Sequence, residues 1–184
     1  MQNPPEIVTE RTILRLQQAQ YAPLLQQYYL SNRIHLAAWE PQRDDAFYTL
    51  DACQQRLLQA EHAHQQGQGY AFMVLDKTEQ QMIASCAFNN VVRGIFQACH
   101  LGYSVDAKWQ GQGIMHEALQ AAMTYMFEQV DLHRIMANYI PRNERSARLL
   151  QQLGFEREGY AKKYLKINGV WEDHVLTALV RERD

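Results

Sequence analysis

A glycine-spaced turn joins a strand-like run to a long helical segment in the stretch Tyr103-Ser104-Val105-Asp106-Ala107-Lys108-Trp109-Gln110-Gly111-Gln112-Gly113-Ile114-Met115. Glycines let the backbone approach a ligand closely, and the start of a helix offers unpaired N–H groups and a partial positive charge. A pyrophosphate is the natural guest of such a turn. The glycines alone do not decide between this interpretation and a tight turn without any ligand.

Two familiar nucleotide-binding motifs do not fit this stretch. A P-loop continues with Gly-Lys-Ser or Gly-Lys-Thr, and neither follows Gly113. A dinucleotide fingerprint needs a third glycine and a place early in a βαβ unit, and this chain has neither. The turn therefore lacks the main residues of nucleotide triphosphate chemistry.

The segments around the turn predict one mixed α/β domain over residues 1–184, with a mostly antiparallel sheet of about seven strands flanked by helices. The predicted strands cover residues 12–16, 70–76, 82–91, 97–105, 135–139, 156–167 and 170–180. The predicted helices cover residues 22–32, 49–66, 113–129 and 144–153. The last two strands meet at Asn168-Gly169, a dipeptide that favours a type I′ hairpin turn. Residues 1–11 are expected to form a flexible tail.

Composition and charge restrict where the protein works and what it binds. With 18 Lys and Arg against 20 Asp and Glu, the net charge is -2, which gives no general attraction to nucleic acid or to an anionic membrane. The start of the chain has no signal-peptide pattern, so we expect a cytoplasmic protein without a membrane segment. The three cysteines, Cys53, Cys86 and Cys99, are predicted to be reduced and buried.

Two motifs in the right order carry a family resemblance. The run Gln110 to Met115 resembles the Q/R-x-x-G-x-G/A signature of the GCN5-related N-acetyltransferase (GNAT) family, although Met115 replaces the usual small residue. Asn143-Glu144-Arg145-Ser146, followed by Leu153-Gly154-Phe155, resembles the family's N-x-x-S/A…G-F segment. Two motifs at this separation are much stronger than one.

The resemblance extends almost end to end to the RimJ-type members of this family. The similar segments are Trp39-Glu40-Pro41, residues 90–94, Leu101-Gly102-Tyr103-Ser104, residues 133–139 and residues 173–179. RimJ-type enzymes acetylate the N-terminal alanine of a small-subunit ribosomal protein. The resemblance therefore implies an acetyltransferase whose acceptor is a protein N-terminus, with acetyl-CoA as cosubstrate. We expect no metal, because the turn supplies backbone donors for a pyrophosphate and the chain lacks a plausible cation cage.

The resemblance also assigns the cofactor-binding residues. In the family, strands four and five splay apart, the pantetheine arm lies between them, and the pyrophosphate sits on the turn. The matching residues are Tyr103, Ser104, Val105, Gln110, Gly111, Gln112, Gly113, Ile114, Met115, Asn143 and Ser146. Asn143 matches a position that commonly bonds the pantetheine arm, but an Asn there can equally be a helix N-cap.

Acetyl transfer needs a neutral amine, donors for an oxyanion and a proton for the departing thiolate. We expect direct attack, because no cysteine stands in a setting that would activate it. A backbone N–H near Tyr103 or Val105 is the expected oxyanion donor. Many family members supply the proton from a Tyr where this chain has Leu150, so the nearest replacement is Ser146, whose alternative is an ordinary first-turn helix serine.

The base and the groups that orient the acceptor are harder to assign. The resemblance places Glu40 near the acceptor, although surface carboxylates are common. Asn138 could fix the amine or a water, or could serve a hydrogen bond in the core. His100 could titrate usefully, but a partly buried histidine with satisfied nitrogens is the favoured interpretation. His62 and His64 do not share a helix face, which disfavours a metal site.

Three functions remain open from the sequence. A peptide α-amine titrates at about 8 and a lysine at about 10.4, so an enzyme without an obvious strong base suits the α-amine better. A small amine such as a polyamine, an aminoglycoside or an amino acid is the second acceptor class, because Glu40, Asp44 and Asp45 could line a pocket with carboxylates that binds a cation. A non-catalytic acyl-CoA-binding or ribosome-binding module is the third. We expect no direct contact with nucleic acid, and a monomer or weak homodimer.

Overall fold

An eight-stranded mixed sheet forms the centre of the computed structural model, which describes residues 5–181. The strands, in chain order, are β1 (Glu6–Val8), β2 (Thr12–Leu16), β3 (Tyr70–Asp76), β4 (Met82–Val92), β5 (Ala98–Val105), β6 (Arg134–Tyr139), β7 (Glu156–Ile167) and β8 (Val170–Val180). Their order across the sheet is β1-β2-β3-β4-β5-β6-β8-β7. The helices are α1 (Ala22–Ser31), α2 (Arg33–Ala37), α3 (Leu50–Gln65), α4 (Ile114–Glu128) and α5 (Glu144–Gln152).

Helices cover both faces of this sheet, because its central strands bury apolar side chains on both faces, as β3 illustrates. Its central residues are fully buried, with Phe72 and Val74 in one hydrophobic cluster and Met73 and Leu75 in another. Because successive side chains of a strand point to opposite faces, the two clusters lie on opposite sides of the sheet. The first contains the apolar side of α4, and the second contains residues of α1 and α3.

The N-terminal segment differs from the prediction of a flexible tail. Residues Glu6–Val8 form β1, which pairs antiparallel with β2. Ile7 packs against the cluster around α4, and the Arg15 guanidinium lies 2.6 Å from the Glu6 carboxylate, so one apolar and one ionic contact hold the strand. The expectation for residues 1–4 lies outside the described part of the chain.

The predicted order of strands and helices is otherwise confirmed. Strands β3, β4 and β5 form the expected antiparallel meander, and β7 and β8 form the expected hairpin. Asn168 and Gly169 both have positive φ, 45° and 82°, as a type I′ turn requires. The short helix α2 was not predicted, because five residues give too little periodicity to recognise. Within residues 5–181, no helix combines the length and apolar character needed to cross a membrane.

Strands β5 and β6 are the one neighbouring parallel pair in the described sheet, and they soon separate. Their register contains only three pairs, and the last joins His100 to Met136. Beyond this point β5 continues beside β4 as far as Val105, while β6 continues beside β8 as far as Tyr139. The sheet therefore opens into a wedge, here called the β5–β6 gap. The predicted splaying of strands four and five is found here, since the unpredicted β1 makes these strands β5 and β6.

Candidate active site

The β5–β6 gap exposes backbone donors that no neighbouring strand uses. The Asp106 N–H bonds the Ile83 carbonyl on the β4 side. Because N–H groups alternate in direction along a strand, those of Val105 and Tyr103 point away from β4, toward the gap. Both lie past the last β5–β6 pair at His100. Two amides are therefore free to bind a carbonyl oxygen or a pantetheine amide placed in the gap.

A pair of hydroxyl groups spans this gap. The Tyr103 side chain reaches from β5 to the first turn of α5, where its Oη lies 2.5 Å from Ser146 Oγ. Burial raises the pKa of Tyr103 to about 12, even though the bond to Ser146 acts to lower it. The phenol is therefore protonated at neutral pH and can donate a proton. The sequence indicated each residue but not that they meet.

The glycine turn lies at the open end of the gap and leads directly into α4. Gly111 and Gly113 have φ of 71° and 76°, and Gly113 is the N-cap residue of the helix. A left-handed backbone there favours glycine strongly. The side chains of Ile114 and Met115 are buried in the core, so only their backbone can face a ligand. This burial accommodates Met115, which departs from the small residue expected at the end of the motif.

Side chains of two helices and of the turn itself hold the turn in place. Gln110 bonds His35 Nε2 of α2 at 3.0 Å through its amide nitrogen, and its amide oxygen accepts from Arg145 of α5. The side-chain amide of Gln112 donates to the Lys108 carbonyl at 2.8 Å. Gln110 thus links the turn to both α2 and α5. The contacts of His35 and Arg145 were missed from the sequence, since neither residue belongs to a motif for this turn.

A buried polar pair fixes the end of β5 just before the turn. The Asn32 side chain donates to Asp106 Oδ2 at 2.9 Å and accepts from the Ala107 N–H at 3.0 Å. Asn32 and Asp106 are 1% and 4% exposed. Buried polar groups of this kind are retained only when their hydrogen bonds are made, so the pair specifies one position for the chain entering the turn.

Two of the predicted pantetheine contacts, Asn143 and Ser104, are partly occupied by structural bonds. Asn143 Oδ1 accepts from the Ser146 N–H at 3.2 Å, which makes Asn143 the N-cap of α5, while its amide nitrogen has no hydrogen bond to the described residues. Ser104 Oγ lies 2.8 Å from Tyr28 Oη, on the face of the sheet opposite Tyr103. Leu150, where many relatives have a Tyr, is buried and carries no polar group.

Glu40 lines a small pocket on the α1 side of the sheet, here called the Glu40 pocket. It has a volume of about 210 Å³ and is also lined by Tyr29, Arg33, Arg43 and Asn168. The Asn168 N–H donates to the Glu40 carbonyl at 2.9 Å, so the β7–β8 turn closes one side. Burial raises the pKa of the Glu40 carboxyl above its usual value, and the positive charges of Arg43 and Arg56 oppose this effect.

The two other acidic residues near this pocket already have partners. Asp45 forms a 2.6 Å salt bridge with Arg33, and Asp44 caps the short 3₁₀ turn Asp45–Tyr48 by accepting from the Phe47 N–H. The Arg43 guanidinium lies over the Phe47 ring at 4.3 Å. Because Asp45 neutralises Arg33, the pocket combines the Glu40 carboxylate with the positive charge of Arg43.

Asn138 and His100 lie on the face of the sheet away from α4. Asn138 Oδ1 accepts from the Thr177 N–H at 3.4 Å, a weak contact at the limit of hydrogen-bond geometry. His100 is partly exposed, and its buried Nδ1 has no hydrogen-bond partner among residues 5–181. The favoured interpretation of His100 as a satisfied histidine is therefore wrong for this nitrogen, because neither Asn89 nor Met136, opposite it in the sheet, bonds it.

The cysteines are free and buried, as predicted. Burial raises the pKa of Cys86 and of Cys99 to about 12 and also raises that of Cys53. The thiolate is the reactive form of cysteine, so these residues are poor nucleophiles at neutral pH. In the part of the chain that the structure describes, no group of three or more His, Cys, Asp or Glu side chains has the arrangement of a metal site.

The chain matches the acetyltransferase (GNAT) domain over residues 11–156. It is 50% identical to the [ribosomal protein uS5]-alanine N-acetyltransferase of Escherichia coli over 173 residues, which cover 94% of this chain and 89% of that protein. Both findings agree with the splayed sheet and the glycine turn. This chain therefore belongs to the GNAT family of N-acetyltransferases.

Solved structures with the same fold agree with this assignment. The ribosomal-protein-S5-alanine acetyltransferase from Vibrio fischeri superimposes with a TM-score of 0.93 at 45% identity, covering 97% of each chain. The Mycobacterium smegmatis RimJ in complex with CoA-disulfide superimposes with a TM-score of 0.91 at 27% identity, covering 97% of this chain and 88% of that one. The similarity thus spans almost the whole chain, including both strands of the gap.

Proposed function

We propose that the enzyme transfers the acetyl group of acetyl-CoA to the N-terminal α-amine of a ribosomal protein that begins with alanine. The observation that carries the proposal is the β5–β6 gap, where free backbone amides of β5 and the hydroxyls of Tyr103 and Ser146 meet. The activities named for the E. coli and Vibrio fischeri relatives, at 50% and 45% identity, support the choice of acceptor.

The donor would be held by backbone groups along one continuous path. The turn from Gln110 to Met115 offers helix N-terminal amides to the pyrophosphate, and β5 from Tyr103 to Val105 offers amides to the pantetheine arm. The free amide nitrogen of Asn143 can add one further donor beside its capping role. We propose that no metal takes part, so EDTA should leave the affinity for acetyl-CoA unchanged.

The chemistry needs three events, and residues of the gap can supply two of them. Acetyl-CoA supplies the activated thioester. The N–H of Tyr103 or Val105 would stabilise the oxyanion that forms when the amine attacks the carbonyl carbon. The Tyr103–Ser146 pair would protonate the departing thiolate, since the raised pKa keeps the phenol protonated. Tyr103 would thus provide from β5 the hydroxyl that many relatives carry at the position of Leu150.

The third event, deprotonation of the amine, favours an α-amine. Making a lysine neutral at pH 7 costs roughly 3 kcal/mol more than making an α-amine neutral. Glu40 is the proposed base or ammonium-binding group, because burial raises the pKa of its carboxyl and so makes the carboxylate a stronger base. Asn138 is proposed to orient the amine or a water, given how weakly its side chain is engaged.

The arrangement of charges argues against a polyamine as the acceptor. Asp44 is engaged in a helix cap, Asp45 and Arg33 neutralise each other in a salt bridge, and the Glu40 pocket also presents Arg43. A molecule with several ammonium groups would find one carboxylate in the pocket lining, that of Glu40, with the positive charge of Arg43 in the same lining. An extended peptide, with one ammonium followed by backbone carbonyls, fits this pattern better. We propose that the enzyme meets this acceptor in the cytoplasm, as a monomer or weak homodimer and without contacting nucleic acid.

A CoA-release assay tests the proposal against its alternatives. The acceptors are an N-terminal alanine peptide without lysine, an N-terminally blocked peptide with a central lysine, and spermidine. Rapid release with the alanine peptide alone supports the proposal. Rapid release with spermidine alone would support the small-amine function, and tight binding of acetyl-CoA without release in any mixture would support a non-catalytic role.

A further inference from the structure

One arginine connects the turn between β1 and β2 to the glycine turn, although about a hundred residues separate them in sequence. The Arg11 guanidinium donates from Nη1 to the Gln112 carbonyl at 2.7 Å. Its Nε donates to Glu117 Oε2 at 2.6 Å, and its backbone N–H donates to Glu117 Oε1 at 2.8 Å. The N-terminal hairpin is therefore attached to both the turn and the first turn of α4.

The Glu117 carboxylate fixes the orientation of this guanidinium. Glu117 is only 18% exposed, and its own N–H donates to the Gly113 carbonyl at 3.1 Å. Burial acts to raise the pKa of Glu117, but hydrogen bonds from Thr9 and Arg11 outweigh this and lower it. The residue is therefore ionised at neutral pH. Its two oxygens accept from the Arg11 Nε and from the Arg11 backbone N–H, so the carboxylate ties the side chain to its own backbone and limits where the guanidinium can lie.

The bond to the Gln112 carbonyl determines where the next amide points. In a planar trans peptide, the carbonyl of one residue and the N–H of the following residue point in opposite directions. Because Arg11 holds the Gln112 carbonyl on its own side, the Gly113 N–H points to the other side of the turn. The glycine at this position has φ of 76°, so its peptide could rotate more freely without the arginine.

We propose that Arg11 is a positioning residue for acetyl-CoA, which holds the Gly113 amide in the direction that the pyrophosphate requires. This inference rests on the proposed placement of the pyrophosphate on the Gln110 to Met115 turn. Arg11 acts through its bonds to the turn and to Glu117. Strand β1 pairs with β2 and so holds in place the hairpin that contains Arg11. Preorganised donors of this kind raise affinity by removing the cost of ordering them upon binding.

The test compares two donors with four variants of the full chain. Acetyl-CoA carries the pyrophosphate, whereas S-acetylpantetheine lacks it. The variants are Arg11→Gln, Arg11→Lys and Glu117→Gln, with Arg181→Gln as the matched control, because Arg181 also forms a 2.6 Å surface salt bridge, with Asp131. The measurements are the Kd of acetyl-CoA by calorimetry, kcat/KM with each donor and the melting temperature.

We expect Arg11→Gln to weaken acetyl-CoA binding about tenfold and to leave kcat/KM for S-acetylpantetheine within about twofold of the wild-type value. The affinity of Arg11→Lys for acetyl-CoA should lie between those of Arg11→Gln and the wild type, and the affinity of Arg181→Gln should match that of the wild type. Glu117→Gln should also weaken binding, since it frees the guanidinium. If Arg11 acted only as a charge on the phosphates, Glu117→Gln would instead tighten binding, and that result would overturn the inference.

The remaining outcomes are also decisive. An equal loss with both donors would show a general structural role and would contradict the positioning role. Gly113→Val separates this inference from the proposed function on which it rests. If Gly113→Val abolishes acetyl-CoA binding and Arg11→Gln leaves it unchanged, the turn is the site and the inference about Arg11 is wrong. If neither substitution changes the Kd, the placement of the pyrophosphate itself is wrong.

Discussion

The hydroxyl groups of Tyr103 and Ser146 lie 2.5 Å apart and join β5 to the first turn of α5 across the β5–β6 gap. This contact brings a protonated phenol at the end of β5 to the serine of the family's second motif. Ser146 has no tyrosine partner one turn later on its own helix, because that position is Leu150. We therefore propose that the proton donor comes from the facing strand.

Replacing either hydroxyl should slow the chemical step. We expect Ser146→Ala and Tyr103→Phe each to lower kcat about tenfold to a hundredfold with little change in the KM for acetyl-CoA, because they remove a contact made mainly to the leaving thiolate. The double variant should be little slower than the slower single variant, since the two hydroxyls act as a unit. Steady-state kinetics with Tyr160→Phe as the control checks this. Additive losses would show that the two hydroxyls act independently.

The raised pKa of Tyr103 predicts the alkaline side of the pH profile. A proton donor loses activity as the pH rises through its pKa, and burial places this pKa at about 12. The rate should therefore rise with pH as the acceptor α-amine loses its proton near about pH 8, and then stay level to about pH 10. The measurement is kcat with an alanine peptide from pH 6 to pH 10, with melting temperatures recorded in parallel. A decline of kcat between pH 8 and pH 10 in a folded enzyme would contradict the role of Tyr103.

Gly113 should be essential for acetyl-CoA binding. Its φ is 76°, and a Cβ added there would project from the turn to 3.4 Å from the Arg11 guanidinium. Gly113→Val is expected to abolish measurable binding, because a β-branched residue strongly disfavours this backbone conformation. Gly94→Val is the matched control, with φ of 73° and open space around the added Cβ. Calorimetry should show wild-type affinity for the Gly94 variant only, and normal binding by the Gly113 variant would place the cofactor elsewhere.

Replacing Glu40 should weaken the use of the acceptor peptide and leave the binding of acetyl-CoA unchanged. Glu40→Gln is expected to lower kcat/KM for the alanine peptide about tenfold with the Kd of acetyl-CoA unchanged. Because burial raises the pKa of Glu40, its carboxylate is lost as the pH falls through this raised value. On the acidic side, wild-type activity should therefore fall more steeply than that of Glu40→Gln. The exposed Glu128→Gln serves as the control, and parallel profiles for all three proteins would exclude Glu40 as the base.

The fold could be predicted from periodicity and turn residues where the elements are long. Strand-like runs bounded by turn residues marked β3, β4 and β5, and Asn168-Gly169 marked the final hairpin. Two elements were not predicted because they are short: β1 has three residues and α2 has five. Neither has enough residues to show a period, and β1 forms only because β2 is available as a partner.

The candidate site was predictable wherever one local motif carries it. The glycines of the turn and the capping residue Asn143 each belong to such a motif, and both are found at the expected helix starts. The contacts Tyr103–Ser146 and Arg11–Gln112 join residues 43 and 101 positions apart. Only the tertiary packing of β5, α5 and the β1–β2 turn brings these side chains together, so no spacing in the sequence could reveal them.

Mass spectrometry on paired peptides, incubated with the enzyme and acetyl-CoA, tests the identity of the acceptor amine most directly. One peptide has a free N-terminal alanine and no lysine, and the other has a blocked N-terminus and a central lysine. We predict a mass increase of one acetyl group on the alanine peptide, located at its first residue by fragmentation, and no change on the lysine peptide. Preferential acetylation of the lysine peptide, or of neither peptide, would contradict the proposed function.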